Sequence, residues 1–215
     1  MKILITGGAG FIGSATAKKL IERGDQVILI DNFNDYYDPQ LKHDRIKTIL
    51  KGCKGKYKLY TGDIRDEKFL DRVFKKEAPE KVIHLAAMAG VRSSLDDPRL
   101  YADVNVMGFI NMLECARAKG ARFLQASTSE IYGDPLETPQ SEEYRGNVNM
   151  LGPRACYDEG KRSAETLCMD FHRQYGTDVR IIRIFNTYGP NMDWNDGRAV
   201  TNFISKSLAG EPLVI

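Results

Sequence analysis

The stretch KILITGGAGFIG, residues 2–13, decides the fold. A short apolar strand runs without spacer into a glycine-dense turn, and FIG opens a helical pattern. Gly8, Gly10 and Gly13 satisfy GxGxxG, while Gly7, Gly10 and Gly13 satisfy the spaced variant GxxGxxG. Glycine is required where a backbone turns through dihedrals that other residues avoid and comes close to a pyrophosphate seated on a helix N-terminus. A second strand, QVILID (26–31), follows in register and ends in Asp31. An acid at that place accepts the hydroxyls of a ribose and disfavours an added 2′-phosphate. The turn therefore predicts an NAD(H) site, with NAD preferred to NADP. It is not a P-loop, because no lysine stands between Gly13 and Ser14.

Working outward, further apolar runs lie at YKLYT (57–61), KVIHLAA (81–87), ARFLQAS (121–127) and DVRIIRIF (178–185), with amphipathic segments near 12–22, 40–51, 66–76, 98–119 and 156–175. This repeated β-α order predicts an α/β fold, a doubly wound parallel sheet of the Rossmann kind with helices on both faces. A dinucleotide domain is expected over 1–185. Residues 186–215 read as the start of a smaller C-terminal substrate lobe, with a helical stretch at 198–209 and a strand beginning at LVI (213–215). The chain reads there as truncated.

Composition limits what else the chain does. Its 215 residues carry 31 basic and 29 acidic side chains, a net charge of +2, which argues against nucleic acid as a partner. The lysines at 47, 51, 54, 56 and 58 are interrupted by Gly52 and Gly55 and read as a solvated loop. No apolar run approaches the ~20 residues of a membrane span, and MKILITGGAG enters a strand directly rather than a targeting segment. Cys53, Cys115, Cys156 and Cys168 form no CxxC pair, and the three histidines have no ligand spacing. A cytoplasmic protein with reduced thiols, no metal and no membrane association is expected.

Two stretches raise the question of chemistry: STSEIYG (127–133) and YDEGK (157–161). Four residues along a helix advance ~6 Å and nearly a full turn, so Tyr157 and Lys161 share a face. An ammonium beside a phenol, next to a nicotinamide ring, lowers a pKa that starts near ~10 and makes the tyrosine a base for an alcohol proton. Alone, YxxxK is equally an ordinary helix surface. The strand ending at Ser127 brings Thr128 or Ser129 to the same crevice to bond the reacting oxygen, and Glu130 adds a carboxylate able to carry protons. Asp63 in TGDIRD reads either as an acceptor for the adenine amino group or as a helix cap.

Together, TGGAGFIG, HLAA, STSEIYG, Tyr157-x-x-x-Lys161 and RIFNTYGP resemble the extended short-chain dehydrogenases, the group of NAD-dependent epimerases and dehydratases acting on nucleotide sugars. Residues 133–167 and 183–204 are most similar to the UDP-glucuronate decarboxylase branch, which makes UDP-xylose. DNFNDYYDPQLKHDRI (31–46) and HLAAMAGVRSSLDDP (84–98) look more like UDP-glucuronate 4-epimerases.

The resemblance implies NAD-dependent decarboxylation of UDP-glucuronate through a 4-keto sugar, with 4-epimerisation, or a non-catalytic NAD-binding module, as the alternatives. It implies Thr128 as hydroxyl partner, Glu130 as extra acid, Tyr157 as base and Lys161 as its support. Glu130 favours the lyase, since an epimerase of this kind commonly has a hydroxyl or small residue there. Implied cofactor contacts come from Gly7, Gly10, Phe11, Ile12, Gly13, Asp31, Asn32, Asp63 and Ile64, from Leu85, Ala86 and Ala87, and from Tyr157 and Lys161. On the substrate side, Arg92 is expected to hold the carboxylate, or a phosphate, or nothing. Asn186 donates to a diphosphate or hydroxyl or else closes a turn, and Arg198 meets the nucleotide or else sits on the surface. Trp194 has no assigned role. The expected partners are a UDP-sugar and a second copy in a homodimer.

Overall fold

The computed structural model describes residues 1–213 except Lys54, Val91 and Arg154, and does not describe the side chain of Arg92. Val91, the Arg92 side chain with its expected substrate contact, and the end of the expected LVI strand at 214–215 thus lie outside what is described; 211–213 form no strand. Six strands, β1 (Lys2–Thr6), β2 (Gln26–Asp31), β3 (Tyr57–Thr61), β4 (Lys81–His84), β5 (Arg122–Thr128) and β6 (Val179–Ile184), form one sheet in the order β3-β2-β1-β4-β5-β6. Every pairing is parallel. The sheet is the doubly wound arrangement expected from the glycine turn.

Alternation along the central strands sorts the helices to the two faces. Ile3, Ile5, Val27 and Leu29 pack with Ala17 and Ile21 of α1 (Phe11–Glu22) and with Ile46 and Ile49 of α2 (Pro39–Ile49). Leu4, Ile28, Val82 and Phe123 face the other way, onto α3 (Glu67–Glu77), α5 (Phe109–Ala118) and α6 (Ala155–Tyr175). Leu4 and Phe123 are fully enclosed, each worth roughly 1.5–3 kcal/mol of burial.

Local chemistry starts the helices. Asp38 accepts from the Gln40 amide ahead of α2, with Pro39 in the first turn, and Asp66 accepts from the Phe69 amide ahead of α3. The short helix α4 (Pro98–Ala102), capped by Asp97, runs into α5 through a π-helical turn at Asp103–Gly108. That turn carries Asn105, whose amide accepts from the Met88 N–H at 2.8 Å and donates to the Met88 carbonyl at 3.0 Å. The chain after β4 is thereby clamped to the helix.

The far side of the sheet is less covered. β6 is an edge strand with Ile182 exposed, and no residue of α7 (Ala199–Ala209) is buried. All four cysteines are free. Among the described residues no helix is long and apolar enough to cross a membrane, and no group of His, Cys, Asp and Glu is arranged to hold a metal.

Candidate functional site

The strand order reverses between β1 and β4, so the C-terminal ends of these strands open a crevice. Its floor is the glycine turn. Gly7 has φ 67°, and a side chain on it would sit 3.0 Å from the Ala86 amide nitrogen. A Cβ on Gly13 would fall on the Gly7 carbonyl oxygen. The α1 N-terminus therefore lies against β1 and β4 with no side chain between them. Gly10, the α1 N-cap, makes no side-chain cap, and no acid occupies the first turn. The first-turn amides and the helix dipole are thus available to an anion.

Thr6 ties the two strand ends together. Its Oγ1 accepts from the amides of Leu85 at 3.2 Å and Ala86 at 3.1 Å and lies 2.8 Å from His84 Nδ1. With its acceptor capacity so used, the hydroxyl donates to Nδ1, which places the imidazole proton on Nε2. Full burial, with the Lys161 charge adding to it, pulls the His84 pKa down to about 3, so the ring is neutral.

A cleft of about 510 Å³ runs from this floor toward α2. Gly7, Gly10, Phe11, Asp31, Asn32, Asp63, Ile64, Leu85, Ala86, Ala87 and Arg198 line it, whereas Ile12, Gly13, Asn186, Thr128, Glu130, Tyr157 and Lys161 do not. Asp31 is buried at its edge; its carboxylate accepts from the Ala9 amide at 3.0 Å and the Phe33 amide at 2.9 Å. Asp63 accepts from Asn32 and from the Arg65 amide and is forked by the Arg65 guanidinium. Burial raises its pKa, but these donors outweigh burial and hold it at about 2. The cap of α3 is Asp66 rather than Asp63, three residues on.

Tyr157 adjoins the cleft, where its ring meets Tyr101, a cleft residue, edge-on at 6.4 Å. Thr128 closes β5 and accepts from the Glu130 amide at 3.2 Å, starting a 3₁₀ turn over Ser129–Tyr132. Glu130 and the buried Asp158 line a second, smaller hollow together. Arg183 holds this loop in place: it pairs with Glu165 at 2.9 Å and donates to Tyr132 Oη and the Glu142 carbonyl, both at 2.8 Å.

The buried Lys161 ammonium donates to the Ala126 carbonyl at 3.1 Å, and burial pulls it down to about 8. Burial raises Tyr157 to about 12 against the pull of its hydrogen bond with Thr128, and the Glu130 and Asp158 carboxylates push the same way as burial.

Asn186 is exposed, and Arg198 starts α7, ion-paired with Asp196 at 2.8 Å. Trp194 is exposed. Sequence reading missed the Asn105 clamp and two buried cations of the cleft wall, Lys42 and Arg45. The only signal for the latter was their i,i+3 spacing in a polar helix.

Comparison with known proteins agrees with this geometry. The model of the family "GDP-mannose 4,6 dehydratase" matches residues 4–215. UDP-glucuronic acid decarboxylase 1 of Arabidopsis thaliana is 46% identical over 215 residues, covering 100% of this chain and 46% of the relative. The protein of the same name from Xenopus tropicalis is 44% identical, with 100% and 48% covered. The chain thus spans about half the length of the curated relatives it matches. Among solved structures, UDP-glucuronic acid 4-epimerase from Bacillus cereus, in complex with UDP-glucuronic acid and NAD, superposes with a TM-score of 0.86 at 31% identity, covering 100% of this chain and 65% of that one. With a family match across nearly its whole length and the sheet, glycine turn and Tyr157/Lys161 helix that the resemblance implied, the chain belongs to the GDP-mannose 4,6 dehydratase family of epimerases and dehydratases.

Proposed function

We propose that the protein binds NAD and decarboxylates UDP-glucuronate to UDP-xylose through a 4-keto sugar. The observation that carries the reading is Glu130: it acts electrostatically on Tyr157 and lies two residues beyond Thr128, in the turn that Thr128 caps, so a carboxylate, a phenol and a hydroxyl come together at the end of β5. The names of the decarboxylase relatives support it. The glycine cradle and the uncapped α1 N-terminus fit a dinucleotide pyrophosphate, and Asp31 fits its ribose. Residues 1–185 would hold the cofactor, and 186–215 would begin the substrate side through Asn186 and Arg198.

When bound, NAD supplies a hydride acceptor and a positive ring. Tyr157 would stand beside that positive ring, and Lys161, four residues on along the same helix face, would favour its phenolate. Tyr157 takes the proton of the sugar 4-hydroxyl as hydride leaves carbon 4, and Thr128 donates to the same oxygen. The ketone formed is β to the carboxylate, so carbon dioxide departs with its bonding electrons left in an enolate. Glu130 would bring a proton to carbon 5, and Tyr157 would give its proton back to the 4-oxygen as carbon 4 is reduced again.

The test is incubation of the protein with NAD and UDP-glucuronate. Carbon dioxide release with UDP-xylose formation is expected, and Glu130→Gln is expected to impair release more than oxidation. A second reading, 4-epimerisation, draws on the B. cereus likeness and on residues 84–98; UDP-galacturonate without gas release would establish it and overturn the first.

A further inference from the structure

The RIFNTYGP motif contains Arg183, and YDEGK is followed at once by Arg162; neither arginine has a part in that scheme. Both reach the turn that carries Glu130. Arg162 stands on α6, and its Nη1 donates to the Ile131 carbonyl and to the Arg145 carbonyl, both at 2.9 Å. Arg183 stands on β6 opposite Ser127, and its Nη1 donates to Tyr132 Oη and to the Glu142 carbonyl, both at 2.8 Å. Each guanidinium thus joins one group of the 129–132 turn to one carbonyl of the segment that follows the turn.

Both arginines are tied in turn to α6. Glu165, one helical turn beyond Lys161, holds Arg183 through both carboxylate oxygens at 3.1 and 2.9 Å. A fork of this kind fixes the plane of the guanidinium as well as its place. Tyr157, Lys161, Arg162 and Glu165 therefore lie on one helix, and Glu130 is referenced to it through Ile131 and Tyr132, both buried. Backbone bonds complete the link: the Asn147 amide donates to the Tyr132 carbonyl at 2.8 Å, and the Asp134 amide to the Asn147 carbonyl at 3.2 Å. Most of 134–145 is exposed, so apolar burial does little to hold that segment.

We propose that Arg162 and Arg183 are positioning residues that set where Glu130 delivers its proton, and so govern the second half of the reaction without affecting hydride removal. The inference rests on the decarboxylase reading. Once carbon dioxide has left, its bonding electrons lie in an enolate across carbons 4 and 5. Carbon 5 must gain a proton before carbon 4 is a ketone that can take hydride back. Glu130, half-buried beside its hollow, supplies that proton and regains one from solvent. A misplacement of about 1 Å at such a group costs about a hundredfold. Tyr157 and Lys161, set in α6, and Thr128, set in β5, keep their places when the tie to the turn is lost.

The test follows carbon dioxide, UDP-xylose and the fraction of cofactor held as NADH when the purified protein is given NAD and UDP-glucuronate. Arg162→Met is expected to lower kcat about tenfold to a hundredfold, to leave KM within about twofold, and to raise the NADH fraction as Glu130→Gln does. Arg162→Lys, which keeps a charged donor, is expected to recover most of the rate. Partial unfolding would lower the rate without changing the NADH fraction per active site. Added to Glu130→Gln, Arg162→Met should cost nothing more, because it acts through that residue. Additive losses, or a lower kcat with no rise in NADH, overturn the proposal. Hydrogen exchange gives a readout apart from activity: in Arg162→Met the amides of 129–133 and of Asn147 should exchange faster while those of 157–165 do not, and unchanged exchange at 129–133 overturns the proposal. If Arg162→Met does not fold, Tyr132→Phe, which removes the hydroxyl that accepts from Arg183, decides by the same outcomes. Absence of carbon dioxide release by the unaltered protein would overturn the decarboxylase reading and the role of Glu130 together, whereas UDP-xylose formation that Arg162→Met leaves unchanged removes the positioning role alone.

Discussion

Alanine at Gly13 should destabilise the protein, while the same substitution at Gly160 should stabilise it, although both residues lie inside helices. The difference is what the new Cβ meets. At Gly13 it falls on the Gly7 carbonyl oxygen and lies 3.1 Å from the Gly8 Cα, so only backbone can move. At Gly160 in α6 the nearest atom is the Asn105 Cβ at 3.9 Å. Overpacking against backbone takes the upper end of its range, about 3 kcal/mol, and the better helix propensity of alanine returns about 1 kcal/mol. The net loss at Gly13 is roughly 2 kcal/mol, or about 4–8 °C in Tm for a chain of this size. Gly160→Ala should gain roughly 0.5–1 kcal/mol. Thermal and urea unfolding of both variants measure this, and NAD titration should show weaker binding only for Gly13→Ala. Equal stability changes of the same sign would refute the close contact between α1 and the Gly7–Gly8 turn.

Arg183→Met should cost about 3 kcal/mol by leaving Glu165 unpaired at a mostly buried place; a shift in urea midpoint measures it, and adding Glu165→Gln should recover part. His84 should make stability depend on pH. Its imidazole is held neutral to about 3 against an ordinary 6.5, so between those values the unfolded chain binds a proton that the native chain does not. Its contribution is therefore complete above about pH 6.5 and falls by about 1.4 kcal/mol per unit as pH drops toward 3. His84→Gln should flatten the urea midpoints between pH 6.5 and 5; an unchanged slope would remove His84 from this role. Tyr157→Phe should lower turnover of UDP-glucuronate by about 10²–10⁴ while NAD binding persists, and near-normal turnover would return Tyr157 to the helix surface.

The strands were legible because short apolar runs bounded by the glycine turn and by helical patterns leave little freedom: KILIT and QVILID read as strands and are, buried almost end to end. The helix 198–209 was legible too, observed at Ala199–Ala209, though periodicity says nothing of whether its apolar side is covered. Within the site, local spacing put Tyr157 and Lys161 on one helix, yet the partner that captures the lysine is a carbonyl 35 residues earlier on β5. The direction of the Tyr157 shift depends on burial and on Glu130 and Asp158, which spacing alone does not weigh. Lys42 and Arg45 escaped notice because a helix so polar reads as solvated, and only the cleft shows them buried.

The strand order also sets a schedule for synthesis. β1 is the first strand made and one of the most enclosed, yet only its β2 edge can pair early, because its other neighbour, β4, begins at Lys81. At usual elongation rates the about 50 residues after β2 take roughly 3–10 s to emerge. Through that interval KILIT presents an open row of amides and carbonyls on an apolar ribbon, the kind of edge on which nascent chains associate wrongly. The strand that ends as the most sheltered part of the sheet is the one left open longest on the ribosome, so the yield of folded protein should respond to elongation rate between codons 31 and 81 more than to changes on the finished surface.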